Sequence, residues 1–136
     1  MVYRSNFFTV SPERKLCLLQ ILVELGLPKA QLNEGSALTL LALLDLKPND
    51  PWSAATYPLM VITPIMEFMS QHYGKSYKPN TRETVRRQTV HQFLDAALII
   101  TNPDAPERPI NSPKTVYQIE ETVLELLRNY KTNKWQ

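Results

Sequence analysis

The segment Asn33 to Leu46, NEGSALTLLALLDL, constrains the fold of this 136-residue chain more than any other feature. Its apolar residues are nearly continuous, and it is long enough to form a helix. A helix that is apolar on all sides must be enclosed by other elements, because its side chains would otherwise contact water. A chain of this length can bury one core. The segment therefore predicts a central helix around which a single domain is built.

A helix is predicted before this segment. Ser11 can cap free backbone amides, and Pro12 is well tolerated at the first helical position. We expect the helix to run to about Leu25 and to end at Gly26. Cys17, the single cysteine of the chain, lies in the apolar part of this helix and is predicted to be a core residue.

A proline-rich loop and a short helix are predicted after the central segment. In the loop, Trp52 is expected to anchor packing. Thr63 followed by Pro64 repeats the pattern of a cap and a first-turn proline, which predicts a helix from Pro64 to Tyr73. Gly74 is expected to end it.

The excess positive charge of the chain is concentrated in one segment. Residues 74–94 contain five basic residues and one acidic residue, whereas residues 1–73 and 95–136 each carry a net charge of −1. A local basic concentration is typical of an element that faces a polyanion, although a solvated helix face explains it equally well. Asn80 and Glu83 match a capping box, which predicts a helix over 81–97. Its inner face is predicted to consist of Val85, Val90, Phe93, Leu94 and Ala97.

Two short β-branched runs, 98–101 and 115–119, are predicted to form an antiparallel pair. The loop between them contains four prolines. A last helix is predicted over 120–130. Because the chain then ends without a helix stop signal, we expect it to be a truncated form of a longer protein.

This order of elements predicts a mainly α (α+β) fold, a winged helix-turn-helix with an extra N-terminal helix, a β-hairpin wing and a C-terminal helix. We expect one domain over residues 1–136. It comprises an N-terminal helix and connector (10–32), a winged-helix core (33–119) and a C-terminal helix (120–136).

Candidate DNA-binding residues follow from this fold, because a helix fits the major groove and presents its polar side to base edges. The candidates for base or near-base contacts are Arg82, Arg86 and Thr89. Those for phosphate contacts are Lys75, Lys78, Thr81 and Arg87. In the wing loop, Arg108 and Lys114 are candidates for the minor groove or a neighbouring phosphate.

Two segments carry a resemblance to a known family: YGKSYKPNTRETVRRQTVHQF (73–93) and NPDAPERPINSPKTVYQI (102–119). With the residues around them, they resemble the N-terminal helix-turn-helix domain of the BsuBI/PstI family of type II restriction endonucleases. The resemblance implies a bacterial enzyme that cleaves a palindromic six-base-pair site, for which it suggests CTGCAG. It also implies a nuclease domain C-terminal to this region. We expect a homodimer for the full-length enzyme, since protein symmetry then matches the symmetry of the site.

No catalytic residue is predicted in this chain. Restriction nucleases hold Mg²⁺ with an acidic residue followed by an acid-x-lysine pair. Asp104 imitates the first part, but no acid-x-lysine triplet follows it. His72 and His91 have no further ligand at metal-binding spacing. We therefore expect no metal or cofactor here, and Mg²⁺ only in the absent nuclease domain of a Mg-dependent parent enzyme.

The composition predicts a soluble globular protein, with 43% hydrophobic and 21% charged residues. No apolar stretch is long enough to cross a bilayer, and the N-terminus lacks a secretory signal, so we expect a cytoplasmic protein with no membrane partner. Two other functions remain open. One is a free-standing winged-helix regulator, which would dimerise through the last helix. The other is a protein-interaction winged helix whose basic helix is simply solvated.

Overall fold

The central element is α2 (Glu34–Leu44), in a computed structural model that describes residues 12–29, 32–48, 50–74, 82–109 and 112–129. Every residue from Ser36 to Leu44 is buried. The helix begins where the side chain of Asn33 accepts a hydrogen bond from the backbone amide of Ser36 at 2.9 Å. It ends at Asp45, which takes a left-handed backbone conformation. The prediction of a central buried helix is confirmed.

α1 (Pro12–Glu24) packs against α2 and contributes Cys17, Leu18, Ile21 and Leu22 to the core. The chain leaves α1 through Gly26, whose φ of +90° is a conformation that other residues adopt with strain. The amides of Gly26 and Leu27 then bond back to the carbonyls of Val23 and Leu22. This pair of bonds is a Schellman cap, and both the predicted core cysteine and the predicted stop are confirmed.

α3 (Ile62–Tyr73) crosses α2 after a short 3₁₀ turn (Trp52–Ala54). Trp52 packs against the core, as predicted. The predicted start of α3 is wrong: the helix begins two residues before Pro64, and Val61 is the cap and makes no side-chain cap bond. Proline is tolerated there because the first four amides of a helix have no intrahelical partner.

A second long helical stretch begins at Arg82. α4 (Arg82–Val85), a π segment (Arg86–Val90) and α5 (His91–Asp95) follow one another without a break. We refer to residues 82–95 as the basic helix. It ends earlier than predicted, because Ala97 is exposed with a φ of +61° and therefore belongs to the cap rather than to the inner face.

A two-stranded antiparallel sheet follows, formed by β1 (Ile99–Thr101) and β2 (Tyr117–Ile119), with Ile100 opposite Gln118. The predicted antiparallel pair is confirmed. On the other side of β2, Tyr117 and Met60 exchange two backbone hydrogen bonds of 2.8 and 3.0 Å. The segment before α3 is thereby joined to the sheet.

α6 (Glu121–Arg128) closes the fold and buries Val123, Leu124 and Leu127. Arg128 Nε donates a hydrogen bond of 2.8 Å to the carbonyl of Ala55, which fixes α6 beside the 3₁₀ turn. Buried residues from α1 through α6 belong to one hydrophobic cluster. The described part of the chain is therefore mostly helical, with one small sheet and one shared core.

Candidate nucleic-acid interface

The basic helix lies between α3 and β1 and is held by buried residues along one side. Val85, Val90 and Phe93 are buried, and Leu94 is partly buried against the same core. The π segment contacts α2, α4 contacts α3, and α5 contacts β1. One side of the helix is thus fixed against the fold, and the opposite side faces outward.

The π segment explains how Val85 and Val90 are buried on the same side. In a regular α-helix, residues five apart lie about 140° apart around the axis. Hydrogen bonds of the i→i+5 type bring two such residues closer to one line. In the sequence, this π segment is indicated by the four polar residues RRQT between the two valines. Two residues on the same side of a regular α-helix have only two or three residues between them.

The structure describes only some of the predicted DNA-binding residues. Lys75, Lys78 and Thr81 lie outside the described residues. The backbone of Arg82, Arg86 and Arg87 is helical, whereas their side chains are outside the described part. Thr89 is half-buried. Arg108 and Lys114 lie in the loop between β1 and β2.

That loop, residues 102–115, is organised around Asn102, which is buried and has a φ of +48°. Its Oδ1 accepts hydrogen bonds from the amide of Val116 and from Arg108 Nη1, both at 2.9 Å. Its Nδ2 donates to the carbonyl of Arg108 at 3.2 Å. One side chain therefore joins the start of the loop to its middle and to its end.

Arg108 is committed to contacts within the loop. Its guanidinium forms an ion pair with Asp104 at 3.3 Å, and the two side chains are 24% and 38% exposed. Arg108 Nη1 also donates a hydrogen bond to Asn102 Oδ1. A DNA phosphate would have to compete with these partners. Lys114, by contrast, is exposed.

The end of the loop is closed by two further side chains. Thr115 is buried, and its Oγ1 donates a hydrogen bond to the carbonyl of Pro109 at 3.1 Å. The amide of Lys114 donates to Ser112 Oγ at 3.0 Å. These two bonds join described residues of the loop, and Lys114 is exposed beside them.

Sequence reasoning overlooked three residues of this region. Asn102 organises the loop, and the signal for it is an asparagine directly before Pro103, since asparagine tolerates the left-handed conformation. On the basic helix, His91 and Thr84 are exposed together with Gln88. Their spacing in the sequence is that of one helix face.

The described residues do not fit a Mg²⁺ site. They contain no group of three acidic, histidine or cysteine side chains that could hold a metal ion. The carboxylate of Asp104 is paired with Arg108. The acid-x-lysine triplet at Asp45 and Lys47, which sequence reasoning passed over, forms an ion pair of 3.6 Å at the end of α2.

Comparison with known proteins decides the family. A profile of the BsuBI/PstI restriction endonuclease HTH domain matches residues 17–136. The chain belongs to this family. The type II restriction enzyme BsuBI of Bacillus subtilis is 56% identical over 117 residues, which are 86% of this chain and 37% of BsuBI.

Two further proteins extend the comparison. The type II restriction enzyme AplI of Arthrospira platensis is 43% identical over 109 residues, covering 80% of this chain and 33% of AplI. The SdaI restriction endonuclease has a similar structure, with a TM-score of 0.81 and 30% identity over 87% of this chain and 37% of SdaI. This family member thus spans only about a third of the length of its relatives.

None of the helices in the described ranges is long and apolar enough to span a membrane.

Proposed function

We propose that this chain is a winged helix-turn-helix domain that binds double-stranded DNA for a type II restriction endonuclease. The proposal rests on where the positive charge of the chain lies. Residues 74–94, which hold the excess positive charge, include most of the basic helix and the segment directly before it. The other side of this helix packs against α2 and α3. A helix whose one side is packed against the domain can place its other side in the major groove of DNA.

The sheet supports the winged-helix assignment. Met60, between α2 and α3, forms an isolated β-bridge with Tyr117 of β2, on the side opposite β1. In this assignment, the loop 102–115 between β1 and β2 is the wing. Lys114 is the described wing residue that is best placed to contact a phosphate, because it is exposed and its ammonium is a compact charge.

The rest of the proposal concerns the whole enzyme. Cleavage of a palindromic site would be carried out by a nuclease domain outside this chain, in a homodimer in the bacterial cytoplasm. Membership of a restriction endonuclease family and the partial coverage of BsuBI and AplI support this division of labour.

No observation favours a free-standing regulator that dimerises through α6. The apolar side of α6, with Val123, Leu124 and Leu127, is buried within the fold. Leu126 is the exposed large apolar residue of this helix. A protein-interaction domain is distinguished from the proposal by whether the chain binds DNA.

The experiment is a titration of the chain against labelled duplexes with and without CTGCAG, at two salt concentrations. We expect salt-dependent binding, because each phosphate contact releases counterions and contributes about −0.9 to the slope of log affinity against log salt. Replacing both Arg82 and Arg86 by alanine should weaken binding by at least about ten-fold. The matched control replaces Lys29 and Lys47 by alanine, since both are exposed and neither belongs to the basic helix.

The control separates local contacts from net charge, since both double variants remove two positive charges. Equal losses in the two variants, or no binding by the unaltered chain at low salt, would contradict a DNA-facing basic helix.

A further inference from the structure

The outward side of the basic helix carries a row of four exposed residues: Thr84, Gln88, His91 and Asp95. Their shared exposure, opposite the buried Val85, Val90 and Phe93, places them on the side of the helix that faces away from the core. This inference rests on the proposed function, and it concerns which side chains meet the bases. Among the described residues of this helix, Thr84, Gln88 and His91 are the polar, non-acidic ones that are exposed.

The two glutamines of the helix differ in exposure. Gln88 is exposed, whereas Gln92, one turn later, is half-buried, as is Thr89. The burial of Val90 and Phe93 fixes this orientation, because both belong to the shared core. Residue type alone does not distinguish Gln88 from Gln92, whereas in the structure only the first of these two is exposed.

We propose that Gln88 and His91 are the base-reading pair of the basic helix. The rise from residue 84 to residue 91 is about 10 Å, which is the length of about three base pairs. Glutamine can bond bidentately to N6 and N7 of adenine. Histidine carries a ring N–H donor in either charge state and can donate it to N7 or O6 of guanine. Thr84 is small enough to lie against the backbone or a base edge without preventing this approach.

Asp95 marks where the DNA-facing row ends. Its carboxylate is exposed at the C-terminal end of α5 and would be repelled by phosphates. The DNA therefore lies over the residues before it, from Thr84 to His91. The basic residues precede Gln88 or lie next to it in the sequence, so positive charge and outward polar side chains occupy the same part of the helix.

The test is selection of bound duplexes from a randomised double-stranded pool, carried out with the unaltered chain and four variants. We expect Gln88→Ala and His91→Ala each to lose about ten-fold or more in discrimination at one base-pair position, while binding to unselected duplex changes little. Gln92→Ala is the matched control and should retain the selected sequence. Asp95→Asn should retain it as well and bind all duplexes slightly more tightly.

The outcomes separate this inference from the proposed function. A uniform loss of affinity across all duplexes in Gln88→Ala and His91→Ala would show phosphate contacts and overturn the inference. Enrichment of no sequence by the unaltered chain would also overturn it, as would an effect of Gln92→Ala equal to that of Gln88→Ala. In each of these cases, the Arg82 and Arg86 double variant still decides whether the helix binds DNA at all.

Discussion

Asn102 Oδ1 accepts a hydrogen bond from the backbone amide of Val116 at 2.9 Å, across the open end of the two-stranded sheet. The same oxygen accepts from Arg108 Nη1. A loop that would otherwise be free between two short strands is thereby tied to the sheet at both ends. This side chain makes three hydrogen bonds to described residues of the proposed wing and its end.

Replacing Asn102 by glycine tests this account. Glycine keeps the positive φ but removes three hydrogen bonds and leaves the buried amide of Val116 without its acceptor. We expect the free energy of unfolding to fall by about 2–3 kcal/mol, and amide exchange in residues 103–115 to accelerate. Asn129→Ala is the control, because it removes an exposed amide bonded to the carbonyl of Glu125 and should cost less than about 1 kcal/mol. Equal losses in the two variants would contradict the account.

The backbone conformation of Ala97 predicts that its replacement by glycine stabilises the fold. It has a φ of +61°, and Leu98 behind it donates its amide to the carbonyl of Phe93, which is the cap that usually takes glycine. Ala97→Gly should raise the free energy of unfolding by about 1 kcal/mol, because the left-handed conformation strains any residue with a Cβ. Ala96→Gly is the matched control: its φ is −85°, so it should lower stability by about 0.5–1 kcal/mol. Urea denaturation measures both, and stabilisation by both or neither would contradict the cap assignment.

Tyr73 joins the ends of α3 and α2. Its hydroxyl is buried and donates a hydrogen bond of 2.7 Å to the carbonyl of Leu46. Tyr73→Phe should lower the free energy of unfolding by about 1–2 kcal/mol, since a buried carbonyl loses its donor. Tyr57→Phe alters an exposed ring and should change stability by less than about 0.5 kcal/mol. A Tyr73→Phe variant as stable as Tyr57→Phe in thermal unfolding would show that this bond contributes nothing net.

Glu120 makes stability depend on acid pH. Hydrogen bonds from the side chain and amide of Thr122, and from the amide of Val123, lower the pKa of this carboxyl below its ordinary value of 4.5. A group whose folded pKa is lowered contributes stability above its unfolded pKa and loses that contribution as the pH falls through the folded pKa. Glu120→Gln should therefore flatten the loss of stability below a pH of about 4.5. Acid unfolding measured from about pH 7 downward checks this, and a loss of stability as steep in Glu120→Gln as in the unaltered chain would contradict the assignment.

Much of the fold could be predicted because local chemistry and burial agree. Asn33 is a good cap, the segment after it is apolar on all sides, and Gly26 and Gly74 both take the positive φ that ends a helix. The two β-branched runs pair as expected. At the ends of these helices, the residue type itself, asparagine at the start or glycine at the end, favours the backbone conformation that is observed.

The errors arose where tertiary contacts override local preference. Thr63 and Pro64 form a good start signal, but burial of Ile62 extends α3 backward by two residues. The position of Ala97 fits the apolar spacing of the basic helix, which is why it was predicted to lie on the inner face. In the structure, the backbone changes direction at Ala97, two residues before β1 begins. The π segment shifts the phase of the helix, so Thr89 and Gln92 are turned partly inward while His91 stays exposed. A regular helical period does not contain this information.

The DNA-binding residues were predicted from charge and residue type, and their role in binding DNA stays a prediction. For Arg108 the structure adds the contacts with Asp104 and Asn102, which a sequence cannot specify because they depend on the path of the loop. For Lys114 it adds that the residue is exposed.

The most direct test of the central claim is to record amide nuclear magnetic resonance spectra of the chain during addition of a short duplex. We expect the largest shifts at the amides of Thr84, Gln88 and His91 and in residues 112–114, since these lie on the proposed DNA-facing side. Shifts confined to α1 and α6, with the basic helix and the loop unchanged, would contradict it.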